Sequence, residues 1–573
     1  MRNLGQCLTT LGVILLLTVL NASAAYSHHM DFVTENGTQW AVKVSAKDQS
    51  EQFLKLKQLA EEHGCRIIGP VGNLRDYFLL EHDPNHRARR SIAEVDTALA
   101  VHPHVEWSEM QELRTHAKRM ELITDPLYPA QHHLHNPHGR DLHVIPAWER
   151  GLSGRGIAIS LVDDGLEWRH KDFGEGSRFL AEGSKDWNGR DDDPTPVRSD
   201  DTHGTACAGL AYAGMNDGTC GVGLAFAAKV SGQRLISGGV TDAMEAAALS
   251  YRNDLNHIYS CSWGPPDEGL NVEGPKHLMQ QTFIEGTTNG RNGKGTIFMW
   301  AGGNGGGARD NVNYDGYANS IYSIAIASVN GDGRKADYSE EGAPLVVSAT
   351  SSPPYVTTTG VKGGCDRRFS GTSASAPMIS GVVALMLEAN PNLTWRDVQN
   401  ILLRTAAKND EGDIDWVVNG AGLHVNHKYG FGLCDAAEAT AMAATAPLLP
   451  PATTPVVVTW TGSVSIPDRS TAAATIPLQT NANIKVEHVQ VRFVASHPRR
   501  GDLSITLKSP YGTSSVLALQ HRDVGRDYDW TFMSMRHWGE SSAGVWTLVV
   551  TDMKVGAVGQ VTGVTLTLRG TQP

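Results

Sequence analysis

Apolar and polar residues alternate over residues 40–44 and a short apolar run follows at 77–80, whereas residues 50–63 place their apolar side chains at helical spacing. A period of two predicts strands and a period near 3.6 a helix. With a further strand near 66–68, residues 25–119 read as a small α/β module. The pattern changes from residue 120 to about 446, where short apolar runs at 157–162, 229–235, 258–261, 296–300 and 324–327 alternate with helical stretches. Repeated strand–helix alternation predicts a doubly wound, mainly parallel sheet with its reactive groups where strands end. Prolines and threonines then crowd residues 447–456, which marks a linker. Beyond it, apolar strands at 484–493, 503–507, 515–519, 546–550 and 564–568 come with almost no helical pattern, so residues 457–573 predict an all-β sandwich or barrel.

Length agrees with this division. At 573 residues the chain is too long for one core and suits about three domains. Arg2, an apolar run over 11–20 and the small residues Ala22, Ser23 and Ala24 make residues 1–24 a secretory signal peptide, too short to span a membrane. No second run approaches spanning length, so a soluble chain without a membrane anchor, in the secretory pathway or outside the cell, is expected. Seven cysteines are too thinly spread for a disulfide-built scaffold, although an oxidising compartment permits bridges. A formal charge of -12 excludes nucleic acid as the expected partner. Asn36 and Asn392 stand in glycosylation sequons.

The chemistry begins at Gly371-Thr-Ser-Ala-Ser-Ala-Pro377, a small-residue turn that runs into an apolar helical pattern and is suited to exposing Ser373. A serine hydroxyl needs a base, and the base needs an orienting group. Asp163 ends the strand at 157–162, and His203 opens a stretch of glycine and small residues that suits a helix start. Asn304 ends another apolar strand in a glycine-rich turn, where its amide can reach a developing oxyanion. The order Asp, His, Ser is that of one of the unrelated serine-hydrolase triads.

These segments resemble the subtilisin-like serine proteases, and more narrowly the kexin/furin branch of proprotein convertases. Asp163-Asp164-Gly165, Ser262-Trp-Gly-Pro265, Asp315-Gly-Tyr-Ala-Asn-Ser-Ile-Tyr322 and Leu393-Thr-Trp-Arg-Asp397 carry the narrower resemblance, from about residue 30 to the C-terminus. It implies a subtilisin-like α/β catalytic domain over 120–446, an inhibitory prodomain over 25–119, and a β-sandwich P domain whose motif is Arg500-Gly501-Asp502. It also implies a Cys220–Cys365 disulfide, with the family's second bridge falling on Val312 and Gly342, and leaves Cys207, Cys261 and Cys434 unpaired. Maturation cleavage is expected after Arg119, with an inner site after Arg90. His82 and His86 flank the inner site, and His86 is the candidate pH sensor.

The same resemblance implies specificity. Asp267 and Asp315 would hold a P1 arginine, Asp164 and Asp200 a basic P2 residue, and Glu245, Glu273 and Tyr317 a basic P4 residue; paired carboxylates suit a guanidinium. Two to three calcium ions are implied, since this hard cation takes six to eight oxygens. Asp125, Asp172 and Asp217 with the carbonyls of Gly214, Thr219 and Gly221 form the first expected site. Asp267, Asp310 and Glu340 form the second, and Asp186, Asp191 and Asp193 the third. The expected function is that of a monomeric, calcium-dependent, self-cleaving serine endopeptidase acting on protein precursors after Lys-Arg or Arg-Arg. A broad-specificity secreted degradative subtilase is the alternative.

Overall fold

The computed structural model describes residues 38–85, 91–112, 122–469 and 473–573, which fall into two compact units, residues 1–116 and 117–573. Arg90, Arg119, His86, Asn36 and the expected signal peptide lie outside the described residues.

The first unit is an antiparallel sheet of β1 (Gln39–Lys43), β2 (Cys65–Pro70), β3 (Tyr77–His82) and β4 (Trp107–Met110) in the order β2-β3-β1-β4. Two helices cross over, α1 (Gln49–His63) and α2 (Ile92–Val101). Asp48 caps α1 and left-handed Gly64 ends it, while Ser91 and Glu94 form a capping box on α2. Trp40, Val42, Leu56, Leu59, Leu80, Val95 and Leu99 fill its core.

The second unit begins with the short α3 (Ile145–Glu149), and its central sheet is wholly parallel. The strands are β5 (Ala158–Asp163), β6 (Lys185–Asp186), β7 (Lys229–Arg234), β8 (Ile258–Cys261), β9 (Ile297–Ala301), β10 (Ser323–Val329) and β11 (Leu345–Thr350), in the order β11-β10-β9-β8-β5-β7-β6. Helices α4 (His203–Tyr212), α5 (Asp242–Ser250) and α6 (His277–Gly293) connect strands. A hairpin, β12 (Val356–Thr359) with β13 (Cys365–Phe369), leads into α7 (Thr372–Ala389). That helix is apolar enough to cross a membrane, but 89% of its apolar window is buried, so it is the core around which the sheet and its neighbours pack. Helix α8 (Trp395–Thr405), the short pair β14 (Val417–Val418) and β15 (His424–Val425), and α9 (Ala436–Thr445) complete this layer.

A β-sandwich follows. One sheet has β16 (Val456–Ile466), β18 (Lys485–Ser496), β21 (Tyr528–Ser534) and β23 (Gly559–Thr571); the other has β17 (Ala474–Thr480), β19 (Leu503–Lys508), β20 (Ser514–Ala518) and β22 (Gly544–Asp552). Strand β17 alternates buried and exposed along its whole length, as one buried face requires. The sandwich and the α/β layer share packing: Met533, Met535 and Trp538 enter the α/β core, and Asn313 bonds the backbone of Met533 through both its amide atoms, at 3.1 and 2.8 Å. Arg500 pairs with Asp523 and Gly501 is buried, so the Arg-Gly-Asp segment is a structural turn.

Cys220 and Cys365 are bonded, as the resemblance implies. Val312 and Gly342 face each other: a Cβ at Gly342 would stand 2.8 Å from that of Val312, so both halves of a second bridge are replaced together. Among the described residues the buried free thiols are Cys207, Cys261, Cys434 and also Cys65, which the sequence leaves unassigned.

Candidate active site

Asp163 is the last residue of β5 and is buried. Its carboxylate accepts from His203 Nδ1 at 2.9 and 3.0 Å, which leaves Nε2 as the basic atom. The neighbouring Asp164 caps the helix that carries the base: its oxygens accept from the N–H groups of His203 at 3.0 Å and Gly204 at 2.7 Å. Gly204 cannot carry a side chain, because a Cβ there would lie 2.2 Å from the Gly165 carbonyl and 2.8 Å from Asp163 Cβ. The Asp-Asp-Gly and His-Gly-Thr segments are therefore one packing unit. Burial opposes charge on His203, but Asp163 outweighs it, followed by the Cys207 thiol, and holds the imidazole well above the ordinary histidine range.

Ser373 is the second residue of α7, so its N–H belongs to the unpaired first turn, a natural anion site. Gly371 opens the helix at φ 89°, and a Cβ there would stand 3.1 Å from Asn304 Oδ1. Asn304 Oδ1 accepts from the N–H of Thr372 at 2.8 Å and its hydroxyl at 3.0 Å. The Ser373 hydroxyl donates to the Ser262 carbonyl at 3.3 Å and must turn to reach His203 Nε2. Four groups for acyl transfer thus converge at the C-terminal edge of the sheet.

Beside them, Asp267, Asp310, Asp315 and Glu340 line one small cavity. Among the described residues no basic side chain pairs with any of the four. Burial pushes Asp310 up to about 6 and Asp315 up to about 7, with their carboxylate neighbours adding to both, and Glu340 is raised well above its usual range. The glycines around Asn304 make this possible: a Cβ on Gly303 would stand 2.2 Å from Glu340 Oε1, and the Gly305 N–H donates to that oxygen at 3.1 Å. A second acidic group lies around the loop 214–221. Asp125 accepts from the N–H groups of Asn216, Asp217 and Gly218 at 2.6 to 3.1 Å, and the Gly214 N–H donates to the Asp172 carbonyl at 2.7 Å. Asp172 is buried and pushed up to about 8, first by burial and then by Asp217 and Asp125. Its Oδ1 is buried without a hydrogen-bond partner. Both clusters have the oxygen chemistry that a hard cation takes.

Residues 39–119 match the Peptidase S8 pro-domain, 154–432 the Subtilase family, and 486–568 the Proprotein convertase P-domain. The chain is 38% identical to furin of Mus musculus over 539 residues, covering 90% of this chain and 67% of that protein. With proprotein convertase subtilisin/kexin type 4 of Mus musculus it is 38% identical over 562 residues, covering 94% and 83%. The chain belongs to the subtilisin-like proprotein convertases. It spans only 29% of the length of another relative, proprotein convertase subtilisin/kexin type 5 of Homo sapiens. The crystallised serine protease of Aeromonas sobria shares the fold, with a TM-score of 0.72 at 24% identity over 80% of this chain and 97% of that one.

The convertase is a serine endopeptidase. Its other expected site residues fall in two groups. Brought together are Glu245 and Tyr317, whose hydroxyl donates to Glu245 Oε2 at 2.7 Å, and Glu273, which bridges to Asp315. The residues of the expected third calcium site also make contacts within the protein. Asp186 forms a buried pair with Arg234 at 2.9 Å, and Asp193 accepts from Trp168 at 2.8 Å and Thr195 at 2.5 Å. Asp191 accepts the N–H of Asp193 at 2.9 Å. Asn392 is exposed.

Sequence reasoning missed the supports of the convertase's site: Thr372 for Asn304, Arg234 for Asp186, Arg198 for Asp200. It also missed Ser262 and Cys207, which donate to the Ser373 carbonyl at 3.2 and 3.4 Å. Pro377, visible in the sequence, was the available signal for that pair.

Proposed function

We propose that this convertase is a calcium-dependent endopeptidase that cleaves secretory-pathway protein precursors after paired basic residues. The observation that carries the reading is the cavity of Asp267, Asp310, Asp315 and Glu340, in which Glu340 is buried, Asp310 and Asp315 are half-buried and Asp267 is exposed, and in which none of the four has a basic partner among the described residues. Mutual repulsion makes such a set costly unless cations enter it. A P1 guanidinium beside Asp267 and Asp315, and a calcium ion held by Asp267, Asp310 and Glu340, would supply them. Asp125, Asp172 and Asp217 would hold another calcium, which would tie the loop 214–221 to the core. A bound calcium supplies positive charge and fixed geometry; the bond-breaking groups are the chain's own.

In this reading Ser373 attacks the scissile carbonyl while His203 takes its proton and passes it to the leaving amine. Asp163 holds the imidazole, and Asn304 with the Ser373 N–H binds the oxyanion. The prodomain would act as inhibitor until cleavage after Arg119 and Arg90, with His86 timing the second cut. Cleavage of matched fluorogenic peptides ending in Arg-Arg, Lys-Arg, Ala-Arg and Ala-Phe, with and without chelator, tests the proposal. Preference for the dibasic peptides that is lost on chelation is expected. Equal turnover of Ala-Phe would make the enzyme a general secreted protease.

A further inference from the structure

Asp200 was expected to face a basic P2 side chain, yet its carboxylate is already engaged. Arg198 Nε donates to Oδ1 at 3.0 Å and Nη2 to Oδ2 at 2.9 Å, the two-point fork by which a guanidinium grips a carboxylate. Arg198 Nη1 also reaches the Ser237 carbonyl at 3.2 Å. The turn that carries Arg198 is anchored from within. The N–H groups of Val197 and Arg198 donate to Asp201 Oδ2 at 3.1 and 2.9 Å. Asp201 in turn sits in a buried pair with Arg234 at 2.9 Å, and Ser237 donates to its other oxygen at 2.6 Å. Backbone and head of Arg198 are therefore both placed.

The second expected P2 carboxylate is also committed, because Asp164 spends both oxygens on the N–H groups of His203 and Gly204. A basic P2 residue thus meets one carboxylate that caps the catalytic helix and another that holds an internal cation.

We infer that Arg198 is a specificity-determining residue that competes with the P2 side chain of the substrate for Asp200. A P2 lysine or arginine must displace Arg198 or share Asp200 with a second positive charge, whereas a P2 alanine does neither. Arg198 and Asp200 are 56% and 67% exposed, and exposed pairs are weak, so the competition amounts to about three- to fivefold in kcat/KM. It is expected to be strongest at low ionic strength. The inference rests on the reading of Asp200 as a residue that faces P2.

The test measures kcat/KM for peptides with P2 lysine or alanine, each in a P1 arginine and a P1 phenylalanine series, on the wild type and Arg198→Ala. The expected result is a three- to fivefold rise in the P2 lysine-to-alanine ratio in R198A, which disappears when Asp200→Asn is added. A loss that is merely structural lowers both peptides alike and leaves the ratio unchanged; an unchanged ratio, or a rise that survives D200N, overturns the inference. The contrast between the P1 series reports separately on the proposed function, since that reading fails if P1 phenylalanine is turned over as well as P1 arginine.

Discussion

Asn304 Oδ1 accepts both the N–H and the hydroxyl of Thr372, at 2.8 and 3.0 Å. With its oxygen doubly held, the amide can present only its nitrogen to an oxyanion, the role proposed for it beside Ser373. Asn304→Ala is therefore expected to lower kcat by about 10²- to 10³-fold with little change in KM. Thr372→Val removes one of the two anchors and should cost less. Steady-state kinetics on a P1 arginine peptide check both, and an N304A enzyme with unchanged kcat would remove Asn304 from the mechanism.

Pro377 lies inside α7 four residues after Ser373, and having no N–H it cannot bond the Ser373 carbonyl. That carbonyl accepts from Ser262 and Cys207 instead, which fixes the nucleophile to the loop after β8 and to the helix of the base. Pro377→Ala offers the carbonyl its helical donor again. The expected outcome is a kcat lower by about tenfold or more with no loss of thermal stability. Active-site titration would separate a slower enzyme from a smaller active fraction.

The proposed P1 cavity predicts a pH-dependent selectivity. Burial pushes Asp315 up to about 7. It is charged above that value and is neutralised as pH falls through it, so its attraction for a P1 guanidinium weakens in that window. The kcat/KM ratio of P1 arginine to P1 phenylalanine should fall between about pH 8 and 6. The protonation of His203 cancels in that ratio, because both substrates need the same base. A flat ratio would argue against Asp315 as the P1 contact.

Stability in chelator should pass through a maximum. Asp164 and Asp172, at about 6 and about 8, join Asp310 and Asp315 as carboxylates raised by folding. The folded state binds more protons than the unfolded one between about pH 4 and those values, so stability rises as pH is lowered from about 8. Buried neutral histidines act in the opposite sense. Burial lowers His257 and His427 to about 4 and His488 to about 3, and also lowers His132, His133, His424, His521 and His537, so these histidines outnumber the four carboxylates and stability is lost below the unfolded histidine value of about 6.5. The melting temperature without calcium is expected to peak near pH 6 to 6.5. Added calcium should raise it more at pH 8 than at pH 6, and differential scanning calorimetry across that range checks both signs.

The sandwich is held to the α/β layer by charge as well as packing. Arg396 on α8 grips Glu487 on β18 with two contacts, one at 2.7 Å, with side chains 12% and 6% exposed. Glu487→Ala leaves a nearly buried guanidinium unpaired and should cost about 3 kcal/mol or more in denaturant unfolding. A cost near zero would mean that water reaches Arg396.

Asp163, His203, Asn304 and Ser373 were legible because each stands where an apolar strand or helix meets glycine and small residues, a local pattern with few backbone solutions. The doubly wound sheet was legible for the same reason. What surrounds the carboxylates was not. Nothing near Asp186 or Asp200 in the apolar pattern marks Arg234 or Arg198 as their partners, and charge runs look alike whether they face calcium, substrate or a guanidinium. The docking of the sandwich was equally hidden, since Asn313 and Met533 lie 220 residues apart.

The sequence by itself determined the three-module order, the strand-end positions of the reactive groups and the disulfide that the family resemblance carried, because these follow from short-range pattern and motif. Only the tertiary structure decided which charges are spent and which remain available. That depends on burial and on distances between residues far apart in the chain. Hence, among the described residues, Asp172, Asp310, Asp315 and Glu340 are left without a basic side chain paired to their carboxylates, while Asp186 and Asp200 are engaged by arginines.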